Sequence, residues 1–149
     1  MSAMSETFRI GELSARTGRG IHAIRWYESL GLMPGVVRDS GGRRVYHGLH
    51  VDWLVLIDRL RRTGMSIAQM REYTALVKQG RGTLKQRQEM LAAHRTRVME
   101  RIAEWTEALS LLDTKIDFYG EWLASGRRPP LQLQPGRASP AAPRRRRAP

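Results

Sequence analysis

The chain contains no cysteine. This excludes disulfides, thiolate metal sites, cysteine-ligated iron–sulfur clusters, cysteine nucleophiles and thiol redox switches. Long apolar runs are also missing, and none approaches the roughly 18 residues that a membrane-spanning helix requires. The opening Met1–Glu6 has neither a basic stretch nor an apolar core, so no export signal and a cytoplasmic location are expected. Proline is absent from residues 83–124, where Gly120 is the one glycine, and acidic residues are absent from 127–149. No nucleophile–base pairing, phosphate loop or metal-ligand cluster is visible, so enzymatic activity is not expected. His47 and His50 lie three apart without accompanying carboxylates, and neither a metal nor another cofactor is expected.

What is present is positive charge. The 149 residues carry 26 Lys+Arg against 14 Asp+Glu, a formal net charge of +12. Such an excess points to a polyanionic partner, nucleic acid or an anionic surface. Its distribution is uneven: residues 1–76 hold net +4, residues 77–126 net +1, and residues 127–149 net +7 from seven arginines. Membrane attachment through that last segment would lack an amphipathic anchor beside it, and no membrane partner is expected.

Three regions separate on composition. Residues 7–76 carry short helical patterns broken by Gly and Pro. Ile10–Thr17 reads as a short helix ended by Gly18, and Ile21–Leu30 as a second, with Ile21, Ile24 and Tyr27 on one face and Gly31 as its stop. Two such helices across a Gly-containing turn make a helix-turn-helix candidate. Extended pieces flanking Ser40-Gly41-Gly42 predict a small hairpin, or wing. Helical periodicity returns over His50–Thr63 with Leu54, Ile57 and Leu60 inward. Ser66-Ile-Ala-Gln69 has capping-box spacing and opens a helix to about Lys78. Arg-Thr-Gly occurs at 16–18 and 62–64, each followed by Ile three residues on, as if at turns between helix pairs.

Thr83-Leu-Lys-Gln86 repeats the capping-box pattern and starts the longest element, over 83–124. Positions 84, 91, 98, 105, 112 and 119 are Leu84, Leu91, Val98, Trp105, Leu112 and Tyr119. The row at 88, 95, 102, 109, 116 and 123 reads Gln, Arg, Ile102, Leu109, Ile116 and Leu123. The rows interleave at spacings of four and three, which is the seam of a coiled coil. A helix this long cannot bury its seam against itself, so an identical chain is the simplest partner. From Ser125 onward Pro, Gly, Arg and Ala dominate, with too little apolar surface to offset ordering entropy; residues 125–149 are expected to be disordered. Arg144–Arg147 there form either an electrostatic arm for DNA or a solvated end.

Phe8-Arg-Ile-Gly-Glu-Leu13, Thr17-Gly18, Ile24-Arg-Trp-Tyr-Glu28, Gly31-Leu32, Pro34, Arg38, Gly42-x-Arg44-x-Tyr46 and Leu60-Arg-x-x-Gly64 together resemble the N-terminal domain of MerR-type transcription regulators. The resemblance spans residues 8–75 continuously, and with the helix that follows about 115 residues fit. It implies a mainly α chain: an N-terminal arm (1–7), a winged helix-turn-helix DNA-binding domain (8–78) and a dimerisation helix (83–124) forming an antiparallel coiled coil. It further implies a homodimer, associated with the nucleoid, on double-stranded promoter DNA. There it distorts an overlong promoter spacer and so acts on RNA polymerase indirectly. An effector would act by binding the distorted state better.

Residue by residue, the resemblance places the recognition helix at Ile21–Leu30, with His22 and Ala23 where base contacts fall and Arg25 at phosphate or base. His22 is otherwise a solvated side chain. Trp26 stands where the family has Tyr, either giving its indole N–H to a phosphate or packing in the core. Tyr27 belongs to the inner face, its hydroxyl reaching backbone, beside the DNA-contacting set. Arg44 and Tyr46 match the wing's phosphate-binding pair, Arg43 adds charge there, and Arg61 grips phosphate from the third helix. Gly20 replaces a usual Ser cap, and Arg19 adds an unusual charge at the turn. The helix pattern around His94-Arg95, Ile102, Leu109, Leu112-Asp113, Lys115-Ile116 and Tyr119 is similar to the aldehyde- and stress-responsive branch. That branch carries a Cys at the position of Arg59, so a small-molecule effector here acts without a thiol. Tyr119 and Trp122 are candidates to line a pocket for it, or to pack at a dimer junction. Two other readings stay open: a coiled-coil adaptor with a basic tail, and a recombination accessory protein, since excisionases share this helix-turn-helix.

Overall fold

The computed structural model describes residues 6–130; Met1–Ser5, most of the expected arm, and residues 131–149, with Arg144–Arg147, lie outside the described residues. Strand β1 is Thr7–Phe8, followed by α1 (Ile10–Thr17), α2 (Ile21–Ser29), β2 (Val37–Arg38), β3 (Arg44–His47), α3 (Gly48–Arg62) and α4 (Ile67–Lys78). A 3-10 turn, Gly80–Thr83, then leads into α5 (Leu84–Ser125). The described residues divide into two compact units, 6–98 and 99–130.

In the first unit the helical stripes read from sequence converge on one core. Leu13, Ile24, Tyr27, Leu32, Tyr46, Leu54, Ile57 and Met70 are each at most 1% exposed, and Phe8, Met33, Leu60, Met65 and Tyr73 complete the cluster. The two Arg-Thr-Gly triplets are helix exits: Gly18 ends α1 at φ 64° and Gly64 follows α3 at φ 93°. Both are left-handed conformations that a Cβ would strain. Ser66 and Gln69 form the expected capping box, Ser66 Oγ accepting from the Gln69 N–H at 3.2 Å.

The wing forms as expected, with Val37 opposite Val45 and Arg38 opposite Arg44 in antiparallel register. Its tip is an Asx turn: Asp39 Oδ1 accepts from the backbone N–H of Gly41 (3.0 Å) and Arg43 (2.9 Å). The Arg9 guanidinium binds the same carboxylate through Oδ2 at 2.5 Å and holds it below the usual carboxylate range. The sheet has a third strand that periodicity could not reveal. Thr7–Phe8 pairs with His47 and Tyr46, making the order β1-β3-β2. Two residues are too short for an alternating pattern.

Two corrections concern α5. Thr83 does not cap it: the hydroxyl donates to the Leu76 (2.5 Å) and Gly80 (3.0 Å) carbonyls, closing the end of α4 instead. The preceding 3-10 turn satisfies what a cap would otherwise serve. Leu91, expected in the dimer seam, packs with Met90 against the core of its own unit. Within this unit α5 is docked further by His94, whose Nε2 meets Thr63 Oγ1 at 2.7 Å beyond the end of α3.

His94 and His50 are 6% and 4% exposed. His50 Nδ1 accepts from the His47 N–H (2.9 Å) and Nε2 donates to the Pro34 carbonyl (3.1 Å), which requires the neutral ring. Burial pushes both imidazoles below their ordinary pKa, with Arg97 adding repulsion at His94. Their folded pKa values are depressed, so the unfolded chain takes up protons first. Stability is therefore full above about pH 6.5 and declines as pH falls below it. Urea titrations at pH 7.5 and 5.5 check this: the midpoint is lower at 5.5, and the loss shrinks in His94→Gln.

In the second unit α5 presents its seam to solvent. Ile102, Trp105, Leu109, Leu112, Ile116 and Tyr119 are between 51% and 69% exposed. Val98 sits at the boundary, half-buried, and Leu84 is exposed at the helix start.

Candidate nucleic-acid interface

Helix α2 owes its placement to Ile24 and Tyr27, which fix one face in the core. The opposite face is thereby committed to solvent, and it carries His22, Arg25 and Trp26, with Ala23 half-buried between the faces. Gly20 caps the helix with no side-chain bond. The first-turn N–H groups near His22 and Ala23 thus keep their capacity for an external acceptor.

Three elements meet around this helix. From α3, the Arg61 guanidinium lies 4.9 Å from the centre of the Trp26 ring, a cation–π contact that holds two long side chains together at the surface. From the wing, Arg44 Nε bonds Glu28 Oε2 at 2.6 Å, fastening β3 to the last turn of α2. That contact engages one edge of the guanidinium. Arg43 is exposed at the wing tip beside Arg38, whose Nη1 donates to the Gly42 carbonyl at 2.7 Å. His22, Arg25, Trp26, Arg43, Arg44 and Arg61 are thus brought onto elements that pack against one another.

Three expected contacts are placed elsewhere. Tyr27 and Tyr46 are core residues, 1% and 0% exposed. Each hydroxyl is buried without a hydrogen-bond partner, so the Tyr27 oxygen does not reach backbone and neither faces a phosphate. Burial also pushes the Tyr46 phenol above its ordinary pKa. Arg19 turns away from α2: its guanidinium meets Asp58 Oδ2 of α3 at 2.8 Å. Arg62 reaches the same oxygen, also at 2.8 Å, with its side chain 56% exposed.

Asp58 and Glu28 were not singled out by residue patterns. Asp58 had a signal, since it lies four residues after Leu54 and four before Arg62 on the apolar side of α3. An acid there needs partners. Glu28 stood in the family motif without a role, because its partner comes from a strand 16 residues away. Among the described residues no group of three or more His, Asp or Glu could hold a metal, and no helix is long and apolar enough to cross a membrane.

In the second unit Tyr119 and Trp122 both meet Phe118, which is 5% exposed, at 5.4 Å and 5.8 Å between ring centres. Lys115 Nζ lies 4.6 Å from the Phe118 ring and 4.8 Å from that of Tyr119. The two aromatics proposed for an effector are thus the rim of a small cluster centred on a residue that sequence reading passed over.

A short helix, a glycine exit, a second helix with a polar outer face and a basic antiparallel wing define a winged helix-turn-helix DNA-binding protein. Comparison with known proteins specifies the family. Residues 8–76 match the model of MerR HTH family regulatory proteins, and residues 51–115 match the model described as MerR, DNA binding. The transcriptional regulator CueR of Vibrio cholerae is 33% identical over 116 residues, covering 78% of this chain and 78% of that protein. A MerR regulator structure from Listeria monocytogenes superposes with TM-score 0.75 at 35% identity, covering 80% of this chain and 90% of that one. HiNmlR, described as a MerR family regulator lacking the sensor domain and bound to promoter DNA, gives TM-score 0.72 at 29% identity, covering 81% and 96%. The chain belongs to the MerR family and is a DNA-binding transcription regulator of that type.

Proposed function

We propose that this regulator acts as a homodimer joined through α5 in an antiparallel coiled coil, and that it reads promoter DNA with His22, Ala23 and Arg25 while Trp26, Arg43, Arg44 and Arg61 grip phosphates. The observation that carries this is the pairing of a polar-faced α2, flanked by basic α3 and wing, with an apolar row on α5 that is more than half exposed over 102–119. The first module is built to lie on a duplex, the second to be covered by a like surface. The working divisions are residues 8–78 for DNA binding, 83–124 for dimerisation and 125–149 as a basic tail. The dimer distorts the promoter and affects RNA polymerase indirectly; its place is the cytoplasm with the nucleoid DNA, and it performs no catalysis. Its effector is a small molecule recognised without a thiol, with Tyr119 and Trp122 as contact candidates. HiNmlR, bound to promoter DNA without a sensor domain, favours this reading over an adaptor or a recombination accessory role.

Footprinting the full chain on promoter fragments tests the proposal: protection spans two half-sites around an overlong spacer, and one isolated half-site refutes it. Arg44→Ala and Arg61→Ala each weaken binding to all sequences and lower the salt slope by about 1. His22→Ala changes base preference at one position in each half-site, and equal loss on specific and random DNA removes its reading role.

A further inference from the structure

The carboxylate of Asp58 is the one buried acid facing the helix-turn-helix turn among the described residues, and two guanidiniums share it. We infer that Asp58 is a specificity-determining positioning residue. It withholds Arg19 from phosphate and anchors the turn that aims α2.

Asp58 is 4% exposed, held on α3 among Leu54, Ile57 and Leu60 of the core. Its Oδ2 accepts from Arg19 Nη2 and Arg62 Nε, each at 2.8 Å. Such charge-assisted bonds hold their geometry, because breaking one leaves a desolvated carboxylate short of a partner. Arg19 departs from a fixed backbone: its carbonyl accepts from Ser14 Oγ at 2.6 Å, and its N–H donates to Thr17 Oγ1 at 3.3 Å. The link therefore runs from a rigid α3 to a rigid turn, one residue before the uncapped start of α2. Gly20 offers no side chain to fix that start, so the Arg19–Asp58 bridge supplies the constraint.

The second consequence is electrostatic. Arg59 lines the same small cleft, of about 120 Å³, as Arg19 and Asp58. Without Asp58, Arg19 would be an unpaired cation just before the DNA-reading helix, able to join any phosphate whatever the sequence. Phosphate contacts raise affinity for all DNA alike, so sequestering Arg19 lowers the sequence-independent share of binding, while the anchored turn preserves the base-reading share.

The inference rests on the DNA-reading face proposed above, and Arg61→Ala tests that face independently. The experiment measures binding of the full chain to an operator duplex selected from a randomised pool, and to random duplex, across a salt series. D58N keeps the shape but loses the charge. Its salt slope on random DNA steepens by about 1, since the freed Arg19 adds about 0.9, and its operator-to-random ratio falls by about tenfold or more as the turn loses its anchor. R19Q leaves the random-DNA slope unchanged while lowering the ratio, because Arg19 is not a phosphate ligand. R19Q also keeps the test decisive if D58N does not fold. The inference is overturned if R19Q lowers the random-DNA slope by about 1, or if D58N shifts only the melting temperature. Unchanged slope in Arg61→Ala would instead remove the underlying interface.

Discussion

Leu109→Glu converts the protein to monomers and lowers operator affinity by about 10²–10⁴-fold. Leu109 lies mid-row on α5, 59% exposed, between Ile102 and Trp105 on one side and Leu112 and Ile116 on the other. Closing two such rows on each other removes this apolar surface from water in both chains, at about 25 cal/mol per Å². The substitution deletes two buried leucines, each contributing about 2–5 kcal/mol, and sets two carboxylates into the seam they leave. Each DNA-binding domain would still fold, because the α5 residues that pack on it, Met90, Leu91 and His94, lie well before Leu109. What disappears is the linkage of two half-site contacts, whose effective concentration supplies the factor quoted. Sedimentation equilibrium and operator titration of the same preparation check both parts. A dimer of undiminished affinity removes the coiled-coil assignment.

Ile24→Ala abolishes DNA binding by a different route, through the fold. Ile24 is fully buried on the inner face of α2, and truncating it leaves a cavity worth about 2–5 kcal/mol. Against a net stability of about 5–15 kcal/mol for a small domain, that loss removes a large part of the margin and loosens α2. Tyr27, three residues on and equally buried, separates packing from chemistry. Its hydroxyl has no partner, so Tyr27→Phe removes an unsatisfied group at unchanged volume. Stability then stays level or rises by about 1 kcal/mol, and operator affinity is unchanged. Urea denaturation with operator titration distinguishes the pair. If Tyr27→Phe binds operator tenfold more weakly at unchanged stability, the hydroxyl touches DNA after all.

Much of the molecule is legible in its residues, because the relevant signals are local. Inward positions three and four apart gave Ile24 with Tyr27 and Leu54 with Ile57. Glycines just past each apolar stripe gave the turns, and Ser66 with Gln69 gave a cap; all depend on neighbours within one helical turn. The exposed face of α2 followed once its inner face was known. Charge counted by segment also separated a modestly basic reading module from a tail that holds +7.

Tertiary structure decided what depends on distant partners. Thr83 has the spacing of a cap, yet its hydroxyl donates to a carbonyl seven residues back and closes α4. Leu91 has the spacing of a seam residue, yet the core of its own unit reaches it first. Tyr46 alternates correctly for the wing, but β1, two residues long, places β3 in the middle of a sheet and the ring against the core. Arg19 carries a charge suited to DNA, and Asp58, 39 positions later, claims it. Periodicity fixes which way a side chain points along its own element. Only the packed fold determines which distant group arrives to meet it, because that depends on desolvation and on competition among partners that local spacing does not encode.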